Sequence, residues 1–177
     1  MKLADKEFYK ICVRPTAVIT TVSGKGIPNA APFSWTSPVS SQPPRFGFAC
    51  SVKHDTWRNI MENGEFVVNF VGEEFGPLMH ILEKDFPYEV SEIEQAGLST
   101  EKSNTVRPPR IKEAYAWLEC RMEDHLSTWI VGLVLEAEIR EECIKEVVDV
   151  QKAKPLQHIY GEYFVTEMKT RRFHRAS

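Results

Sequence analysis

The chain has 177 residues, 42% of them apolar and 27% charged, with a formal net charge of −3. That length suits one domain with a full hydrophobic core, and 22 basic against 25 acidic residues give no general attraction to nucleic acid. No apolar run approaches the ~20 residues that span a bilayer, and Met1 to Ile11 mix charges where a signal peptide would be apolar, so no membrane association and a cytoplasmic location are expected.

Ala17 to Val22 is apolar and β-branched and predicts a strand. Ser23-Gly24-Lys25-Gly26 then reads as a hairpin turn, with Ile27 to Ala31 returning. The stretch Asn29 to Pro38 is built of small and hydroxyl residues with a proline near each end. Proline removes a backbone donor and disfavours helical geometry in the residue before it, so this stretch is expected to be a bent, open loop with outward N–H groups. A flat, hydrogen-bonding ligand could approach such a backbone closely. After Gln42-Pro43-Pro44, Arg45 to Cys50 alternates large and small residues, as a barrel strand with one crowded face would.

Ser51-Val52-Lys53-His54-Asp55-Thr56 is polar and runs into a predicted helix, Trp57 to Glu62, capped by Asp55 or Thr56 and stopped by Asn63-Gly64. A cation and hydroxyls at a helix start suit a phosphate. One segment for a ring and one for a phosphate point to a nucleotide-like cofactor. Glu65 to Val71 predicts the next strand and Phe75 to Leu82 a second short helix. Ser91-Glu92-Ile93-Glu94 has the capping-box pattern, and Gly97-Leu98 resembles a helix stop. Lys102 to Lys112, with its prolines, reads as a long surface connection. Strands resume at Tyr115 to Met122 and Trp129 to Ile139. In the second, Val131, Leu133, Leu135, Ala137 and Ile139 mark one face, with Glu136 and Glu138 on the other. With no repeat and no linker, residues 1–177 form one domain that is mainly β with short helices, a closed or split antiparallel barrel.

Conventional catalytic patterns are missing. The four cysteines, Cys12, Cys50, Cys120 and Cys143, form no CxxC pair and read as free thiols, with Cys50 set apart by adjoining the phosphate segment. The five histidines show no HxH or HxxxH spacing, so no metal site is expected. Glu92/Glu94, Glu136/Glu138 and Glu141-Glu142 fit a capping box or a solvated face better than an acid/base dyad. The basic Lys169 to Arg175 reads as a solvated end or a subunit contact.

The order Arg14-Pro15, Thr20-Thr21, Asn29-Ala30-Ala31-Pro32-Phe33-Ser34, Pro43-Pro44, Asp55-Thr56, Asn59-Ile60 and Glu65 to Asn69 resembles the flavin reductase-like family. The likeness continues through Ala96-Gly97-Leu98, Val106 to Arg110 and Glu119-Cys120. It implies a split antiparallel β-barrel that binds FMN, assembled as a homodimer. Members include NAD(P)H:flavin oxidoreductases and flavoredoxins. The implied cofactor contacts are Asn29, Ala30, Ala31, Ser34, Trp35 and Thr36 around the ring, and Ser51, Lys53 and Thr56 around the phosphate. Trp35 lies against the ring or fills the dimer interface, and Asn59 reaches the phosphate or supports the core. His158, with Tyr160, borders the flavin or the subunit interface. Hydride transfer needs no catalytic side chain of its own, because the cofactor carries the chemistry.

One departure bears on the electron donor. Many NADH- or NADPH-dependent members have a Gly-Asp-His segment, its histidine five residues before a glycine of the strand matching Trp129 to Ile139. Here that position is Ser127, and the nearest histidine is His125. Either His125 contacts the nicotinamide from a shifted loop, or a redox partner protein supplies electrons to a flavoredoxin-like carrier. A non-redox flavin-binding module is the third reading.

Overall fold

A computed structural model describes residues 1–173. Its centre is a seven-stranded antiparallel sheet of β2 (Ala17–Val22), β3 (Pro28–Phe33), β4 (Thr36–Ser41), β5 (Pro44–Ala49), β6 (Glu65–Phe70), β9 (Ala116–Leu126) and β10 (Trp129–Ile139). The strand order is β3-β2-β6-β9-β10-β5-β4. The edge strands β3 and β4 are consecutive in the chain and joined by Ser34-Trp35 alone, so the barrel's opening is bridged covalently. A smaller sheet pairs β1 (Arg14–Pro15), β11 (Gln157–Tyr160) and β12 (Tyr163–Val165), and β7 (Thr100–Glu101) pairs β8 (Arg110–Ile111). The expected split antiparallel barrel is thus present.

The continuous burial of β2 follows from apolar partners on both faces. Ala17 and Ile19 point inward onto Phe46, Phe48, Phe66, Val68 and Ile130, and Ile60 of α1 (Asp55–Asn63) joins them. Val18 points outward, into a second cluster with Val67, Phe75, Leu82, Ile93, Trp117 and Leu156. The excursions around α2 (Met79–Leu82) and α3 (Glu92–Gln95) cover that outer face. Gly26 takes a positive φ of 82° in the β2–β3 turn, and Gly64 ends α1 at φ 73°. Among the described residues, no helix is long and apolar enough to cross a membrane.

Several expectations are corrected. The Asn29 to Pro38 stretch is mostly strand, bent only at Ser34-Trp35, and its prolines are accommodated because β3 and β4 are edges. His54 is the N-cap of α1, with no side-chain bond, in place of Asp55 or Thr56. Ser91 precedes α3 without a side-chain cap, so the expected capping box with Glu94 is not formed, and Glu92 turns to β3. Phe75 to Leu82 divides into a 3-10 turn, Glu73–Leu78, holding Pro77, and then α2.

On β10 the expected alternation is broken by a bulge between Val134 and Glu136, so Val131 and Leu133 share a side with Glu136 and Glu138. Ile130 and Gly132 are buried inside with Val134 beside them, while Val131 and Leu133 are half-buried on the outer side and Leu135 is exposed. A Cβ on Gly132 would lie 2.5 Å from Phe66 Cζ, so this inward position accepts only glycine. Alternation identifies two faces but not which one is inside.

Lys102 to Lys112 is pinned to the barrel and not merely a surface connection. Ser103, Val106 and Arg110 are buried. Arg110 donates from Nε to Glu119 (2.7 Å), from Nη2 to Glu136 (2.8 Å) and from Nη1 to Glu138 (2.5 Å). Glu136 and Glu138 therefore anchor this connection and are not simply a solvated face. Of the basic C-terminal stretch, His174 and Arg175 lie outside the described residues.

Candidate functional site

A cleft of about 600 Å³ opens beside the β3–β4 bend, within the size range of small-ligand sites. Its first wall is β3 and the bend, with Asn29, Ala31, Pro32, Phe33, Ser34 and Trp35. In an antiparallel edge strand, alternate N–H groups point away from the sheet. The Ala30 N–H does so and meets Glu92 Oε2 at 3.3 Å, while Pro32, on the same edge, has no N–H to offer. Ser34 is therefore the next residue able to present an N–H there. Phe33 packs edge-on against Phe48, their centroids 5.0 Å apart, which roots this wall in the barrel core.

The second wall is Ser51, Lys53, His54, Asp55 and Thr56, at the start of α1. First-turn N–H groups have no partner within a helix, and His54 supplies no side-chain cap. The helix end therefore presents donors and positive potential beside the Lys53 ammonium and the Ser51 hydroxyl. The third wall is the segment from Leu82 to Phe86, with Glu92 beneath it.

A buried hydrogen-bond network joins these walls. Asn29 Oδ1 accepts from Thr21 Oγ1 (3.2 Å) and Thr56 Oγ1 (3.1 Å), while its Nδ2 donates to Glu92 Oε2 (3.0 Å). Asn59 Nδ2 donates to Thr21, and Asn59 Oδ1 accepts from the Tyr88 hydroxyl at 2.7 Å. Asn59 is thus core support. Burial pushes the carboxyls of Glu92 and Asp55 upward. Burial also pushes the Cys50 thiol up to about 12, so the cysteine beside the phosphate segment is inert near neutrality.

Of the ten cofactor-contact candidates, Asn29, Ala31, Ser34, Trp35, Ser51, Lys53 and Thr56 line the cleft. Ala30 is packed in the outer core, and Thr36 opens β4 opposite Phe48 with its hydroxyl toward the Pro15 carbonyl. His158 stands behind the bend. Its Nε2 is 3.0 Å from the Gly161 carbonyl oxygen, an arrangement that requires the proton on Nε2. Nδ1 then accepts from the Ser34 hydroxyl at 3.0 Å, so His158 orients a cleft residue without lining the cleft. His125 lies on the β9–β10 hairpin, edge-on to Trp57 at 5.3 Å, and is not among the lining residues. Trp35 is 41% exposed and borders the cleft, with Phe8 and Tyr9 packed beside it.

Sequence reasoning missed Phe33, His54, Asp55, the Leu82 to Phe86 wall and, above all, Glu92. In sequence, Glu92 read only as one of the Glu92/Glu94 pair that fits a capping box or a solvated face.

The structure is a split barrel with a polar, hydroxyl-lined cleft at its opening, whose charged residues are Lys53 and Lys84 against Asp55, Glu83, Asp85 and Glu92. The chain belongs to the flavin reductase-like family, whose "Flavin reductase like domain" model matches residues 9–166. An uncharacterized protein of Aquifex aeolicus is 36% identical over 163 residues, 86% of this chain and 83% of its own. The 2-nitrobenzoate 2-nitroreductase of Pseudomonas fluorescens superposes with a TM-score of 0.85 at 29% identity, covering 98% of this chain and 93% of that one. The flavoredoxin of Desulfovibrio vulgaris shares the fold, with a TM-score of 0.88 over 98% and 97% of the two chains at 17% identity.

Proposed function

We propose that this chain is an FMN-binding oxidoreductase that accepts a hydride from NADH or NADPH and passes the electrons to a further acceptor. One observation carries the reading: the Ala31 to Trp35 wall and the Ser51, Lys53 and Thr56 group line a single cleft. The donor set fits the cofactor. Lys53, the Ser51 hydroxyl and the free N–H groups of α1 suit a phosphate, and a strand edge of small residues suits the rim of a flat ring.

FMN, when bound, supplies the hydride-accepting N5 centre. The protein's part is binding, orientation and exclusion of water. Lys53 balances the phosphate charge, and Ala31 allows the backbone close approach. Phe33 and Trp35 make the ring end apolar. The Ser34 hydroxyl is fixed by His158, so its lone pairs stay available to the ligand without reorganisation. A homodimer completes the reading. Phe8, Ile11, Val13, Val39 and Tyr163 are each exposed, and such apolar side chains are candidates for contact with a second copy.

The second reading is a flavoredoxin-like carrier reduced by a partner protein. His125 favours it, because that side chain packs on Trp57 outside the cleft. Rapid anaerobic mixing of the FMN-loaded protein with NADH or NADPH separates the two. Fast loss of the oxidised flavin absorbance by either nucleotide supports the oxidoreductase. Bleaching by a protein reductant alone supports the carrier, and bleaching by neither leaves a non-redox binding module.

A further inference from the structure

Glu92 is the most buried of the charged groups in the cleft that the proposed function leaves without a role. The residue is only 6% exposed, yet it lines the cleft beside the start of α1. Asn29 Nδ2 and the Ala30 N–H meet the same oxygen, Oε2. No cation is paired with it among the described residues. The same Asn29 amide accepts from Thr56, so Glu92 stands one amide group away from the expected phosphate position. A phosphate group there and an ionised Glu92 would repel each other through a poorly hydrated space.

We propose that Glu92 determines which ligands the cleft accepts by their charge: ionised, it opposes a phosphate dianion, and after taking a proton from solvent it admits one tightly. The inference rests on the FMN reading of the cleft. Other charges facing this space are Lys53, His54 and Asp55 from the start of α1 and Glu83, Lys84 and Asp85 from the opposite wall, with Glu94 on the same helix. Lys53, Asp55 and Lys84 are less buried than Glu92 and better screened by water. Burial already holds the Glu92 carboxyl above its ordinary 4.5, against the pull of its own backbone N–H, the Ala30 N–H and Asn29. A bound dianion raises it further. Binding therefore takes up a proton, and phosphate-dependent affinity is greatest at low pH and falls as pH rises through the value of the complex.

The test is calorimetric titration of FMN and of riboflavin, which lacks the phosphate, into wild type and Glu92→Gln between pH 6 and 9. The amide of this variant would retain an oxygen for Asn29 and Ala30 without the charge. In wild type, the ratio of FMN to riboflavin affinity should fall as pH rises, with net proton uptake for FMN measured in buffers of different ionisation heat. In Glu92→Gln the ratio at pH 8 should rise by about tenfold, an effect on the order of one screened charge contact. The remaining pH dependence should shrink to that of the phosphate itself, near pH 6. An unchanged ratio, or equal weakening of both ligands, overturns the proposal and leaves Glu92 as a support for Asn29. If the variant does not fold, a wild-type ratio that is flat with pH, or an absence of proton uptake, overturns it equally. FMN that binds without charge selectivity defeats this inference alone, whereas FMN that fails to bind wild type at any pH defeats the FMN reading as well.

Discussion

Replacing Arg110 by alanine tests whether the connection between β7 and β9 is held by charge. The Arg110 side chain is 4% exposed and its partner Glu119 0%, so removing the guanidinium leaves a carboxylate inside the protein. Breaking a buried pair by deleting one partner costs about 3–5 kcal/mol. Glu119 keeps the Asn104 N–H (2.9 Å), the Thr105 N–H (2.6 Å) and the Thr105 hydroxyl (2.6 Å), which places the expected loss at the lower end, about 3 kcal/mol. At ~2–4 °C per kcal/mol for a domain of this size, the melting temperature should drop by about 6–12 °C. Acid sensitivity adds a second readout. Burial opposes the charge on Glu119, but Thr105, Asn104 and Arg110 together hold its carboxyl below the ordinary 4.5. A depressed carboxyl contributes stability that is complete above about 4.5 and is lost as pH falls through the folded value. Without Arg110 that depression shrinks, so acid unfolding should begin at higher pH. Urea denaturation at pH 7 and thermal melts from pH 3 to 7 would measure both effects, and Glu119→Gln in the Arg110→Ala background should recover part of the loss. Stability within about 1 kcal/mol of wild type, with an unmoved acid midpoint, would refute the reasoning.

Lys53→Ala should weaken FMN binding by ~1.5–3 kcal/mol, the worth of a hydrogen bond to a charged group, and leave riboflavin nearly unaffected. Fluorescence titrations with both flavins decide this, and equal losses would remove Lys53 from the phosphate site. Sedimentation equilibrium of the FMN-loaded protein should give twice the 20.3 kDa chain mass, and a monomer at full occupancy would exclude the exposed apolar side chains as homodimer contacts.

Local signals carried much of the fold. The Ala17 to Val22 run, the Ser23 to Gly26 turn and the Asn63-Gly64 stop sit where β propensity and positive φ require them. The Ser51 to Thr56 segment was legible for the same reason, because a cation and hydroxyls ahead of a helix have meaning in sequence alone. What escaped depended on distant partners. Glu92 meets Asn29 across 63 residues, and no local rule foretells that pairing. On β10, Phe66 fills the inward space at Gly132, and the bulge at Leu135 interrupts an alternation that the sequence pattern reads as continuous. Arg110 looked like part of an exposed connection because the glutamates that bury it lie on β9 and β10.

The two-residue step from Phe33 to Thr36 has a consequence for how this chain can vary. Backbone bonds fix it on both flanks: β3 is registered on β2 through Ala17 and Phe33, β4 on β5 through Thr36 and Phe48, and the Trp35 carbonyl accepts from the Ala49 N–H. An insertion or deletion at Ser34-Trp35 cannot be absorbed as loop slack, as it could at an ordinary hairpin tip. It would slide one edge of the barrel past its neighbour and invert which side chains of that edge face inward. Side chains at these two positions can be exchanged, but their number cannot. The segment that lines the cleft is thus tolerant in chemistry and intolerant in length.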